Sequence, residues 1–381
     1  MPGTKKILYY FLNQFDEHTG GVERISAVIG HYLNSKGNTI YYLSDNCDSA
    51  TNCLNNIFLP KAGGLTNKEN RNFLANFIEE ENIDIIINQA GIFPSSHYLI
   101  KIKGKARLIS VMHNTLWGMY SYPNLNVRNV QLNRFIYSTP IKALFRILFY
   151  IKYHWYFKRI VNGSDKVCLL SDYFRTELDF YSGQKCSNLC AIPNCITMSS
   201  SDKLPKKENS VLFVGRLEWQ KRPDLLLDIW KIVVRKYPNW DLYILGDGVM
   251  KEYLVDKVTH DKIKNVHIEG KKNPMSYYMK SKVLCMTSCY EGFGLVLLEA
   301  MNFGVVPIAF DVFPNLHDII DNNVDGFCIK YPNIKDYAER IIEIMQNPSL
   351  QRNFQNMMPR KIEKYSIDNI GSKWLNLIQE V

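Results

Sequence analysis

The chain has 381 residues, 46% hydrophobic and 22% charged, and its 46 Lys and Arg against 37 Asp and Glu give a net charge of +9. That length fits two domains, each large enough to bury its own core, and the composition excludes a disordered or low-complexity chain. The nine cysteines are scattered without a C-x2-C pair, which excludes a disulfide scaffold and a zinc or redox site, and no apolar run approaches the roughly 18 residues of a membrane span.

Near the start, Lys5 and Lys6 precede six apolar residues and then Asn13. The run is short for a leader peptide and reads as a first strand at 7–12, so a cytoplasmic protein is expected. Further strands are predicted at 39–43, 83–88, 108–113 and 166–170, with amphipathic helices at 22–36 and 67–81. Strands alternating with helices predict a parallel sheet covered on both faces. Between residues 85 and 164 there is no Asp or Glu, whereas eleven Lys and Arg and fourteen aromatic residues fall there. The rest of the chain is nearly balanced, with 35 basic and 37 acidic side chains. Such a block implies an anionic partner. Read as one helix, 141–160 places Lys142, Arg146, Lys152 and Arg159 within an arc of roughly 140°. Mixed with aromatic side chains, they suit an anionic membrane leaflet on the cytoplasmic side. The competing reading is a solvated basic face over a core helix. Nucleic acid is not expected, because no recognition motif accompanies the charge.

Around 195–209 the pattern breaks into a polar, proline-containing linker. A second series follows, with strands predicted at 211–214, 241–245, 266–269, 283–287 and 305–309. Helices are predicted at 223–236, 293–303 and 333–347, and a last one at about 368–379. The expected organisation is a first domain over 1–197 and a second over 198–365. Residues 366–381 form a final helix packing back on the first domain. Both domains are α/β, Rossmann-like and doubly wound, and in such sheets ligands lie at the carboxyl ends of the strands.

Four motifs fall at such strand ends. The strongest runs from Glu291-Gly292-Phe293-Gly294-Leu295 to Glu299, a strand leading through a glycine turn into a helix. Free N–H groups at a helix start favour an anion, and glycine admits close approach of a phosphate. Glu291 and Glu299 can then flank one ligand, with a sugar at one end and a ribose diol at the other. The second motif is Gly215-Arg216 with Lys221 five residues on, followed by Arg222-Pro223. Two cations on a strand-to-helix loop suit a diphosphate, Arg as a fork and Lys as a point charge; Arg222 reads as structural or exposed. Gly20-Gly21 opens the first helix, and His113 ends a strand where it can bond a sugar hydroxyl. Some absences count too. Gly246-Asp247-Gly248 meets Lys251 where a dinucleotide fingerprint needs glycine, and there is no P-loop and no D-x-D. Neither a bound cofactor nor a metal is expected, and the protein's own cations must then neutralise a leaving diphosphate.

In order, G-G-V-E-R, H-N-T, P-N-C-I, V-G-R-L-x3-K-R-P, G-D-G and E-G-F-G-L-V-L-L-E resemble the family 4 retaining glycosyltransferases over nearly the whole chain. The resemblance implies a GT-B fold of two Rossmann-like domains, an acceptor-binding one over 1–197 and a nucleotide-sugar-binding one over 198–365, and sugar transfer from a nucleotide, with UDP expected, to a lipid-linked (polyprenyl-diphosphate) or polysaccharide acceptor. It implies that Arg216 and Lys221 bind the donor diphosphate and that Glu299 holds the ribose. Glu291 and the Phe293, Gly294 and Leu295 backbone would contact sugar and phosphate, Gly21 the diphosphate and His113 the transferred sugar, with the base near Gly270 and Lys271. Glu291, His113, Arg216 and Lys221 form the expected catalytic set. One departure is Cys195, where the family usually has glycine. Two other classes stay open: a GT-B nucleotide-sugar epimerase, and a non-catalytic nucleotide-sugar-binding partner.

Overall fold

The computed structural model describes residues 3–12, 15–17, 20–44, 55–91, 93–121, 139–198 and 206–381. The chain falls into two compact units, Met1–Thr197 with Ser366–Val381, and Met198–Tyr365. In the first unit the strands are β1 (Lys6–Phe11), β2 (Thr39–Ser44), β3 (Asn56–Phe58), β4 (Ile85–Asn88), β5 (Arg107–Met112), β6 (Lys166–Leu169) and β7 (Leu189–Ala191). They form one sheet in the order β3-β2-β1-β4-β5-β6-β7, with every pair parallel. All four residues of β4 are buried. That is the continuous apolar run a central parallel strand needs when helices cover both faces. Those helices are α1 (Gly21–Ser35), α2 (Lys68–Glu80), α3 (Pro94–Ile102), α4 (Leu116–Ser121), α5 (Thr139–Gly163) and α6 (Arg175–Ser182).

The second unit has β8 (Ser210–Val214), β9 (Asp241–Leu245), β10 (Val266–Gly270), β11 (Val283–Met286), β12 (Val306–Asp311) and β13 (Phe327–Lys330). Their order is β10-β9-β8-β11-β12-β13, again wholly parallel. Its helices are α7 (Pro223–Lys236), α8 (Lys251–His260), α9 (Met275–Lys280), α10 (Leu295–Asn302), α11 (Leu316–Ile319), α12 (Ile334–Gln346) and α13 (Pro348–Glu363). Pro223 starts α7, where its missing N–H costs nothing. Leu226, Ile229, Trp230 and Val233 recur at helical spacing and bury that helix on the sheet.

The last helix, α14 (Ile367–Glu380), belongs to the first unit. Ser366 caps it by accepting from Asn369 N–H. Gly371 lets it close on α1, since a Cβ there would lie 2.6 Å from the Tyr32 ring. In both sheets the strand order reverses once, between β1 and β4 and between β8 and β11. That reversal opens a crevice at the carboxyl ends of the strands, where the four motifs lie. Cys195 is buried, which pushes its thiol up to about 12, and it is not among the residues of positive φ. Replacing glycine there therefore strains nothing.

Candidate active site

The second unit gathers its site from four strand-end loops sewn together by backbone bonds. The loop after β8 is tied to the loop after β11: Cys289 N–H donates to Gln220 O at 2.8 Å, and Thr287 Oγ1 donates to the carbonyls of Lys221 and Arg222. On the other side, Leu217 N–H donates to Asp247 O at 2.8 Å, and Gly246 N–H to Gly270 O at 2.8 Å. Gly246 has φ 146° and Gly248 φ 150°. A Cβ on Gly246 would run into the carbonyl oxygen of Gly215, and one on Gly248 would lie 2.7 Å from Leu217 O. These glycines serve the packing of three loops, which is why Gly246-Asp247-Gly248 half-matches a dinucleotide fingerprint.

Within this frame Lys221 Nζ lies 2.5 Å from Glu291 Oε1, and Ser288 Oγ donates to the same oxygen at 2.5 Å. The aliphatic part of Lys221 crosses beside Gly215. Glu291 is buried, so its charge needs both partners. Arg216 goes elsewhere. Its side chain is 66% exposed and leans along its own loop to Glu218 at 3.1 Å and Gln220 at 3.4 Å. The paired cationic fork and point charge read from the sequence are thus one fixed ammonium and one guanidinium at the surface. Arg222, the neighbouring cation, is structural: it binds Asp224 through Nε and Nη2 and donates to Tyr331 Oη at 2.8 Å. That pair holds Arg222 at φ 48°, just before α7, a costly angle for a residue with a side chain.

Glu299 sits inside α10 with no exposed surface, and Tyr278 Oη donates to its Oε2 at 3.0 Å. Gly294 takes φ 77° at the start of that helix, between the buried Phe293 and Leu295. Gly270 takes φ 71° at an irregularity in β10, with the Lys251 ammonium 3.8 Å from where a Cβ would be. Lys271 is exposed beside it. Among the described residues no group of three His, Cys, Asp or Glu side chains gathers as a metal site.

In the first unit, Gly20 has φ 42° and the Glu23 carboxylate folds over it at the start of α1. An acid there complements the helix dipole. His113, just after β5, has Nε2 2.6 Å from Gln89 Oε1. An amide oxygen only accepts, so this bond assigns the proton to Nε2 and leaves Nδ1 as an acceptor. Burial lowers the His113 pKa to about 4. An unfolded chain takes up this proton near pH 6.5 while the fold resists it. The group's contribution to stability is therefore whole above that pH and is lost as pH falls from 6.5 toward 4. NMR titration of the histidines should show an imidazole still neutral at pH 5 in the wild type whose signal is missing from His113→Asn.

The basic arc in the first unit divides. Arg146 is half-buried, its guanidinium 5.4 Å from the Trp117 ring centroid and close enough to Glu177 to favour that carboxylate. Glu177 in turn accepts from Thr115 Oγ1 and the N–H groups of Leu116 and Trp117, capping α4. Arg146 thus belongs to the interior of the unit and is removed from the proposed membrane face. The side chain of Lys142 lies outside the described residues, as do Arg128 and Arg134. α5 also exposes apolar side chains: Leu144, Ile147, Leu148, Ile151 and Trp155 follow one helical face, with Ile151 68% and Trp155 74% exposed. On the helical wheel the exposed Lys152 and Arg159 border that stripe and Lys158 falls within it. Among the described residues no helix is long and apolar enough to cross a membrane.

The site residues that sequence reading missed are Ser288, Gln220, Tyr278 and Gln89. Gln220, Tyr278 and Gln89 act through an approach of distant segments. Only Ser288, three residues before Glu291, lies near enough in sequence to have been noticed.

Residues 197–360 match the family model of glycosyl transferases group 1. The match covers the unit that holds Lys221, Glu291 and Glu299. An uncharacterized glycosyltransferase of Haemophilus influenzae is 29% identical over 266 residues, 69% of this chain and 73% of that protein. A GalNAc-alpha-(1->4)-GalNAc-alpha-(1->3)-diNAcBac-PP-undecaprenol alpha-1,4-N-acetyl-D-galactosaminyltransferase of Campylobacter jejuni is 30% identical, over 51% of this chain and 54% of that protein. A poly(ribitol-phosphate) alpha-N-acetylglucosaminyltransferase of Staphylococcus aureus is 30% identical, over 58% of this chain and 45% of that one. In these last two cases the chain spans about half of the relative's length. The structural likeness extends beyond the matched region. The pneumococcal O-GlcNAc transferase GtfA, solved with UDP and GlcNAc, aligns over 99% of both chains with a TM-score of 0.76 at 14% identity. The fold is GT-B.

Proposed function

We propose that the chain is a retaining glycosyltransferase moving a hexose or N-acetylhexosamine from a UDP sugar to a lipid-linked or polysaccharide acceptor. The observation that carries this reading is the buried Lys221–Glu291 pair at the strand ends of a group 1 glycosyltransferase region. The Campylobacter and Staphylococcus relatives, named for an undecaprenol-linked and a polymer acceptor, support the acceptor class, and the UDP in the GtfA structure supports the donor.

In this reading the Lys221 ammonium turns from Glu291 to the diphosphate. It neutralises the charge that grows there as the glycosidic bond breaks, and a preorganised charge needs little reorganisation. Glu291, released from that pair and still held by Ser288, receives the sugar hydroxyls. Glu299 binds the ribose, exchanging the Tyr278 hydroxyl for the diol. Arg216, exposed on the same loop, adds a mobile fork to the diphosphate. The Phe293, Gly294 and Leu295 backbone meets phosphate and sugar, and Gly270 and Lys271 border the base. Gly21 and His113 are proposed to contact the donor's diphosphate and transferred sugar; neutral His113 does so as a hydrogen-bonding group. The acceptor hydroxyl attacks on the face the diphosphate leaves, and the leaving phosphate takes its proton. We further propose that the first unit rests on an anionic cytoplasmic leaflet through the exposed face of α5.

A panel of UDP sugars, incubated with and without a polyprenyl-diphosphate saccharide, tests the assignment. Acceptor-dependent UDP release that persists in EDTA is the expected result. Interconversion of UDP sugars without acceptor would mark an epimerase, and binding without turnover would mark a non-catalytic partner. Activity lost in EDTA and restored by Mg2+ would overturn the role given to Lys221.

A further inference from the structure

We propose that the groove between α3 and α5 binds the phosphate-bearing headgroup of an anionic membrane lipid, at a place separate from the strand-end loops. The proposal rests on the membrane-surface reading above and gives it a specific receptor.

The groove has a volume of about 860 Å³. Tyr98, Trp155 and Tyr156 supply aromatic walls, and Lys152, Lys158 and Arg159 supply three cations. No carboxylate lines it, as the acid-free stretch from 85 to 164 requires. Lys158 lies 5.5 Å from the Trp155 ring centroid, which holds its ammonium at the rim. Positive charge converges there: burial and then the charges of Arg159 and Lys101 lower the His97 pKa. Gly163 closes one end, because a Cβ there would lie 2.6 Å from Ile100, so α3 and α5 meet tightly at that point. A cavity with crowded like charges and no acid of its own is completed by an anion.

The neighbouring surface selects the source of that anion. Trp155 belongs both to the groove and to the exposed stripe of Leu144, Ile147, Leu148 and Ile151. A soluble phosphate has no use for five exposed apolar side chains beside its site. A lipid leaflet offers both chemistries in the same order, acyl boundary next to phosphate, and an aromatic ring with one polar edge sits at that boundary. The place also differs from the reactive loops. Asn162 and Gly163 at the groove's end lead into the start of β6, whereas His113 follows the end of β5, and the two strands are parallel neighbours. The groove therefore lies toward the opposite edge of the sheet.

Calorimetric titration of the full chain with dihexanoyl phosphatidylglycerol below its micelle concentration tests this. Saturable binding is expected, weakened at least about tenfold in Lys158→Gln/Arg159→Gln, the scale of losing charged hydrogen-bond donors. The Leu148→Ser/Ile151→Ser variant should keep that binding within about threefold, yet lose cosedimentation with phosphatidylglycerol-containing vesicles. Circular dichroism checks that both variants fold. Unchanged affinity in the glutamine variant would overturn the proposal. So would glycerol 1-phosphate binding as tightly as the lipid, which would mark a site for free phosphate esters. Vesicle binding by the wild type without saturable binding of the short lipid would refute the groove alone. No vesicle binding even at low salt would refute the membrane reading beneath it and leave the proposed transfer activity untouched.

Discussion

Lys221→Ala is expected to lower kcat/KM for the sugar donor by about 30- to 1,000-fold, the ~2–4 kcal/mol that follows loss of one preorganised charge-stabilising group. The effect should fall mainly on kcat, because the ammonium meets more charge in the transition state than in the bound donor. Lys221 is the only cation that the described residues place on Glu291, at 2.5 Å, so its removal also leaves a buried carboxylate with Ser288 alone. Some loss of stability should accompany the loss of rate. Lys221→Arg keeps the charge but not the point-like ammonium, and should recover stability more than activity. Steady-state kinetics with a parallel melt separates the two. Near-wild-type kinetics in Lys221→Ala would mean that the diphosphate site has been misplaced.

Gly246→Ala should be the most damaging single-methyl change in the second unit. The added Cβ meets the Gly215 carbonyl oxygen, and φ 146° is one that only glycine adopts without strain. Neither contact partner is a flexible side chain, so the loops after β8 and β9 must separate. A cost of roughly 3 kcal/mol or more follows, in the range reserved for backbone strain and broken networks. Activity should fall with it, since the displaced loop carries Lys221. Gly215→Ala is the control. Its Cβ would meet its nearest neighbours at 3.7 Å, ordinary contact, and its φ is not positive, so a change of less than about 1 kcal/mol is expected. Urea unfolding of the two variants gives the comparison, and equal midpoints would contradict this account of the loop packing.

The sequence was most legible where local pattern and burial coincide. The strand at 241–245 and the helix at 223–236 have the observed bounds of β9 and α7, because a short apolar run and an amphipathic repeat starting at Pro223 each fix their own period. Three-residue edge strands such as β3 and β7 carry no period and were missed. The site divided in the same way. Glycine turns and strand ends point to Glu291, Glu299 and Lys221 in the sequence. The bonds that hold them are less legible: Tyr278 reaches Glu299 from 21 residues away, and Ser288, three residues before Glu291, carries no periodic or glycine signal. On α5 the expected basic arc departs from the structure at Arg146, whereas Lys152 and Arg159 are exposed. A wheel counts residues but does not know which side α4 and α6 cover, so Arg146 was placed outside although it packs on Trp117, and Lys158 was overlooked.

The anomeric configuration of the product tests the central claim most directly. With an α-linked UDP sugar as donor and a polyprenyl-diphosphate saccharide as acceptor, proton NMR of the purified product reports the coupling between H1 and H2 of the transferred sugar. Same-face departure and attack, with Lys221 carrying the leaving charge and no side chain acting as a base on the opposite face, predicts the small coupling of a retained α linkage. The large coupling of a β linkage would contradict it.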